Sequence, residues 1–324
     1  MNDYYLLLML PTLIVLELLY FKIARKYKIL DKPNDRSMHE KLTIRGGGII
    51  FCVAPLIYFV FTRQPGYLFI TGLTLIGFVG LADDIKSLSR LLRFSVQGIS
   101  VLLLFYQLNF FSLPVWSIFI VFIIVTGTIN AYNFMDGING ITGGYSLVVM
   151  TSLFYINKEM FKFTDNGLLL VMIMALIVFN FFNFRNKAVC FAGDAGSLSM
   201  GFIVIYLLMK LIYSSHNFGF ILLLGVYGID SVLTIIHRLI LRENIFKPHR
   251  WHLYQVIVAR TKISHLQMTI TYMTVQASIS FFIIHFANEL YANQYTLGVL
   301  LIVGLALLYI GLKFYFLELR WNKN

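Results

Sequence analysis

Eleven apolar runs, separated by short polar interruptions, account for most of the chain. They lie at about 4–24, 47–62, 67–82, 94–111, 115–130, 142–157, 166–183, 197–213, 219–238, 267–287 and 296–316. Each is near the length that crosses roughly 30 Å of hydrocarbon as a helix. None alternates apolar and polar positions as a water-exposed amphipathic helix does. The pattern predicts an all-α, polytopic helical membrane protein with about eleven spans. The runs at 67–82 and 142–157 are short, and tilt or their glycine-rich ends would complete them. No internal repeat, low-complexity tract or soluble module interrupts the series, so residues 1–324 are expected to form one domain.

Composition agrees with this pattern. The chain is 59% hydrophobic and 13% charged, against about 25% charged in a soluble globular protein, and its mean hydropathy is +0.78. The net charge of +11 is therefore first a statement about orientation and anionic partners, not about nucleic acid. Loops 25–46, 83–93, 131–141, 184–196 and 239–266, with the flanking residues and the C-terminal tail, hold all but four of the 26 Lys and Arg residues. The exceptions are Arg63, Lys158, Lys162 and Lys210. That face is expected to be cytoplasmic, with a periplasmic N-terminus and a cytoplasmic C-terminus. The first run lacks a basic leader and a cleavage site and is expected to be retained. Cys52 and Cys190 stand alone, which predicts neither a disulfide nor a thiolate metal site.

The groups able to do chemistry crowd into the same five loops. Arg45-Gly46-Gly47-Gly48 opens a helix, where backbone N–H groups and the dipole favour an anion. Asp83 and Asp84 end an apolar run next to Lys86. Helical neighbours point about 100° apart, so the two carboxylates are not expected to serve one function: one would face the bundle as base, nucleophile or metal-site group while the other holds a lysine. Asn130-Ala-Tyr-Asn133-Phe-Met-Asp136-Gly137-Ile-Asn139-Gly140-Ile-Thr-Gly143-Gly144 carries no Lys or Arg. Its oxygens at i, i+3 and i+6 suit Mg²⁺, a hard cation that takes one or two protein oxygens plus substrate phosphates. Asp194 lies between glycines at a predicted helix start, either as a cap or as a second metal ligand. Lys247, His249, Arg250 and His252 form a donor-rich turn suited to phosphate. Asp230, seven and eight residues before His237 and Arg238, is expected to be a buried pairing residue on their helix face.

With these motifs on the page, the chain resembles the polyprenyl-phosphate N-acetylhexosamine-1-phosphate transferases, in the branch that initiates O-antigen and other surface polysaccharides. The similar stretches are RSMHE with RGGGI, GLADDIKSLSRLLRFSVQ, NAYNFMDGINGITGG, FAGDAGSLSMGF and HRLILRENIFKPHRWHLYQ, in the family's order over about 31–256. The resemblance implies transfer of a sugar-1-phosphate from a UDP-N-acetylhexosamine, or a deoxy relative, to undecaprenyl phosphate, with release of UMP. It implies Mg²⁺, with Mn²⁺ as the alternative, and a bacterial inner membrane enzyme with a cytoplasmic active site and scope for a homodimer. Asp83 and Asp84 match the paired aspartates, Asn133 and Asp194 the metal positions, and Asp136 and Asn139 the nucleotide side. Lys86, His249, Arg250 and His252 go with the nucleotide sugar and its diphosphate, and Arg45, Gly46 and Gly47 with the lipid phosphate. Asn139 replaces an aspartate of many relatives, and His237 stands where arginine is common. PHRWH departs from the triple histidine of the peptidoglycan-precursor branch, whose phospho-MurNAc-pentapeptide chemistry is the alternative. A secondary transporter of an anionic solute is the alternative from another class, but it would place charges near the membrane midplane and show repeats.

Overall fold

The computed structural model describes residues 4–31, 42–63, 66–245, 247, 249–287 and 294–318. The RSMHE stretch, Phe246, Pro248 and the turn around 288–293 lie outside them. Twelve α-helices occur among the described residues: α1 Tyr4–Lys26, α2 Ile50–Thr62, α3 Tyr67–Ile85, α4 Arg90–Gln107, α5 Val115–Met135, α6 Ile141–Glu159, α7 Asn166–Asn183, α8 Gly193–Ser215, α9 Gly225–Ile240, α10 Leu253–Arg260, α11 His265–His285 and α12 Gln294–Glu318. Each of the eleven apolar runs became a helix, and α10 is the short addition. The chain is thus an all-α polytopic membrane protein. Eight helical stretches among the described residues are long and apolar enough to cross a membrane. Gly47–Thr62 is a shorter apolar helix, while α4 and α6 are helical but not among the eight. The two strands found, Leu30–Asp31 and Thr43–Ile44, form a two-residue antiparallel ladder beside the helices.

Helix α8 is the axis of the bundle. Nine-tenths of its apolar window is buried, against about a fifth of the windows of α1, α5 and α12. The outer helices turn Leu, Ile and Phe side chains such as Leu7, Phe119 and Leu307 outward, a face that suits lipid. Helix α8 packs most heavily against α3 and α5. Its first turns read Gly193-Asp-Ala-Gly-Ser-Leu-Ser, small residues that let backbones approach closely. At Gly80 of α3 the approach is so close that an added Cβ would stand 2.6 Å from Ala195 Cα. This seam brings the end of α3, with its two aspartates, onto the N-terminus of α8.

A backbone strap fixes a third segment at the same place. Ile44 forms a parallel bridge with Cys190. The Gly47 and Gly48 N–H groups donate to the carbonyls of Phe191 and Ala192 at 2.9 and 3.1 Å. Arg45 is thereby held beside Gly193. Both cysteines are free and buried.

Substituting Gly80 by Val should force α3 off α8. Overpacking of this kind costs about 1–3 kcal/mol. Thermal unfolding in detergent should show a clearly lowered midpoint, whereas Gly127→Ala, with nothing within 4 Å of the added carbon, should leave it unchanged.

Candidate active site

The two adjacent aspartates bond to different partners, and among the described residues neither holds the lysine that was expected. Asp84 is buried, and its carboxylate accepts from the backbone N–H groups of Asp194 at 3.0 Å and Ala195 at 3.1 Å. It also takes the Arg45 Nε at 2.7 Å. It therefore caps the start of α8 from a neighbouring helix, where the dipole favours a negative charge. Asp83 faces the other way. Its Oδ1 accepts from Leu88 N–H at 2.6 Å and its Oδ2 from Arg93 Nη1 at 2.9 Å.

Arg93 joins the two halves of the cluster. The same Nη1 donates to Asp194 Oδ2 at 2.8 Å, so one guanidinium bridges Asp83 and Asp194. Arg45 Nη2 stands 3.7 Å from Asp194 Oδ1. Asn133, one turn from the end of α5, accepts the Ser197 hydroxyl at 2.8 Å, and Ser197 also donates to Gly193 O at 2.8 Å. Gly193 has φ +68°, and a side chain there would run into Asp84 Oδ2. A left-handed glycine is thus what allows the chain to turn under Asp84.

Asp136 follows α5 directly and lies outside the spans. Burial pushes its carboxyl up to about 6, with nearby Asp84 adding to the shift and Arg45 opposing it. Asp83, Asp84, Asp136 and Asp194 thus stand together with two guanidiniums, Arg45 and Arg93. Fully ionised, the group carries more negative than positive charge.

The histidine turn docks on the other side of the 130–144 stretch. Tyr254 OH donates to Phe134 O at 3.4 Å, and the same hydroxyl lies where a Gly137 side chain would be. Burial first, then the charges of Asp230 and Asp136, push the Tyr254 phenol well up. The His249 ring lies 6.5 Å from that of Phe134 and 4.9 Å from that of His252. Its Nδ1 accepts from Trp251 N–H at 3.3 Å, which leaves the proton on Nε2. Burial, with the neighbouring His252 and Arg238, lowers its pKa to about 4. His249 is therefore a neutral donor at pH 7 rather than the cationic one that an anion-binding turn suggests.

Several expected site residues are placed differently. Asn139 is buried and spends its amide on the carbonyls of Arg185 at 2.8 Å and Asn186 at 3.2 Å, so it closes two loops onto each other. Lys86 is exposed and closes the end of α3, its N–H donating to Ala82 O at 2.8 Å. Arg45, expected to receive a phosphate, is occupied by Asp84. Asp230 does pair, but with His252 at 3.1 Å instead of His237 or Arg238. Arg238 turns to Glu243 at 3.0 Å and to the carbonyls of Asn244, Ile245 and Lys247. Asn130 bonds Gln97 and Thr126 O and is a helix-end residue. Arg93 was visible in the GLADDIKSLSRLLRFSVQ stretch, yet no local signal marks an arginine ten residues on as the bridge between Asp83 and Asp194.

Residues 66–212 match the model of glycosyl transferase family 4. It is 25% identical over 282 residues to a probable undecaprenyl-phosphate N-acetylglucosaminyl 1-phosphate transferase of Bacillus subtilis, covering 81% of this chain and 78% of that one. Undecaprenyl-phosphate alpha-N-acetylglucosaminyl 1-phosphate transferases of Yersinia pestis and Escherichia coli K12 are each 28% identical, over 73% of this chain and 71% of theirs. The matched segment contains all four clustered aspartates and Asn133. The histidine turn lies beyond it.

The raised Asp136 carboxyl has a consequence for stability. The folded state disfavours its charge, so its contribution turns unfavourable as pH rises from the ordinary carboxylate value through about 6. Asp136→Asn should stabilise the metal-free protein at pH 7 by about 1–3 kcal/mol, and the gain should vanish by pH 4. Unfolding midpoints at the two pH values check this.

Proposed function

We propose that the chain transfers an N-acetylhexosamine-1-phosphate from a UDP-sugar to undecaprenyl phosphate, releasing UMP. In this reading it initiates a surface polysaccharide in a bacterial inner membrane. The observation that carries the proposal is the carboxylate–guanidinium cluster at the meeting of α3, α5 and α8, in a chain whose relatives are named for this transfer. The skew of Lys and Arg between loops supports a cytoplasmic site, eleven crossings and an outer N-terminus.

The donors around Asn133 and Asp194 fit Mg²⁺ in kind, being all oxygen and carrying excess negative charge. Among the described residues no three Asp, Glu, His or Cys side chains stand ready as a ligand set. That suits Mg²⁺, which takes one or two protein oxygens and completes its shell with water and substrate phosphates. Asn133 and Asp194 would hold the ion, which would supply neutralisation of diphosphate charge when bound.

The protein groups do the rest. Asp84 has donors on both oxygens and no exposed surface on its side chain, so its task is to hold α8 and Arg45 in place. Asp83 keeps some exposure and is the group assigned to take any proton from the lipid phosphate. An oxygen of that phosphate bonds to the sugar-bearing phosphorus as the bridging oxygen leaves with UMP. A phosphate monoester is already anionic at neutral pH, so direct attack needs no covalent enzyme intermediate. Neutral His249, through Nε2–H, and Arg250 supply donors to the departing nucleotide phosphate.

Purified enzyme with undecaprenyl phosphate, Mg²⁺ and a panel of UDP-sugars should release UMP with one of them. Release should stop on chelation. Asp194→Asn and Asn133→Ala should each lower it by about 10²-fold or more while the protein stays folded in detergent. Arg250→Ala should lower kcat/KM for the UDP-sugar. No release with any donor would overturn the proposal.

A further inference from the structure

The buried network around Asp230 is larger than the transfer chemistry above uses. Asp230 is 1% exposed in the middle of α9. Its Oδ1 lies 3.1 Å from His252 Nδ1 and accepts from Leu253 N–H at 3.1 Å and Tyr309 OH at 3.2 Å. Its Oδ2 accepts from Tyr272 OH at 2.7 Å. Lys313 reaches it only through hydroxyls, donating to Tyr309 OH at 2.8 Å and Thr234 Oγ1 at 3.2 Å. A buried carboxylate is costly unless it is this well supplied with donors.

One atom of the network is left over. His252 is 2% exposed, and its Nε2 is buried without a hydrogen-bond partner. The large majority of buried side-chain polar atoms find a hydrogen-bond partner. The ring lies between His249 and Tyr254, 4.9 and 5.9 Å away centre to centre. Both neighbours contact Phe134, at the edge of the stretch that holds Asn133 and Asp136. A carboxylate on Nδ1 fixes the tautomer and the ring orientation, so that the opposite nitrogen meets the ligand.

We infer that Asp230 is a positioning residue that acts through His252, holding its ring by Nδ1 so that Nε2 donates to the diphosphate of the bound nucleotide sugar. The identity of that anion rests on the proposed transferase reading. Tyr272, Tyr309 and Thr234 then serve to hold the Asp230 carboxylate still, with Lys313 bonded to two of their hydroxyls.

The test is a double-mutant cycle on the full-length enzyme in detergent. Asp230→Asn and His252→Gln should each lower kcat by about 10²-fold, with KM for the lipid phosphate unchanged. The double variant should be no slower than His252→Gln alone, because the effect of Asp230 passes through the ring. As a readout independent of turnover, adding UDP-sugar should shift the His252 Nε2 resonance in protein with ¹⁵N-labelled histidine, and Asp230→Asn should abolish that shift. Additive losses in the cycle, or a wild-type Nε2 that ignores bound UDP-sugar, would overturn the positioning role while leaving the transferase reading intact. A wild type that neither binds nor turns over any UDP-sugar would overturn both.

Discussion

The contact on which the site depends is Asp84 against the first N–H groups of α8. It couples a charge to a helix end across a seam where two backbones nearly touch. An isolated carboxylate at that depth would be costly. Here two backbone donors, a guanidinium and the positive end of a long buried helix share its charge. In return Asp84 sets where α8 begins, and with it the positions of Asp194 and Ser197. The strap from Ile44 to Ala192 sets Arg45 by the same backbone. A single electrostatic anchor thus places groups from three segments that are far apart in sequence.

Around that anchor the cluster is charged beyond what its own cations balance. Arg93 stands between Asp83 and Asp194, where it limits repulsion between carboxylates that would otherwise push apart. The arrangement favours a second source of positive charge on the Asn133 side. It also accounts for the stretch from Asn130 to Gly144 having no Lys or Arg. Its cations come from neighbouring loops, and its own contribution is oxygens and close backbone. The histidine turn closes the opposite wall, with Tyr254 packed over Gly137.

Much of this was legible along the chain. The eleven helices appear as apolar runs because lipid permits long segments with no polar face. The different partners of Asp83 and Asp84 follow from the turn angle of a helix. The assignments that changed all concern partners. Asn139 looked like a nucleotide contact but closes the loops around 140 and 185. Asp230 shares a helix with His237 and Arg238, yet His252, from another segment, takes its charge. Arg93 showed no signal, because a bridge between residues 10 and 101 positions away has no local period.

By itself, then, the sequence determined the class, the helices and the set of chemical groups, because hydrophobic length and residue type are local properties. Only the tertiary structure decided which carboxylate anchors and which stays open, which arginine bridges, and which histidine is held by a buried aspartate. Those choices depend on which donor lies nearest in space, and in a bundle of antiparallel helices that is set by packing around α8, not by order along the chain.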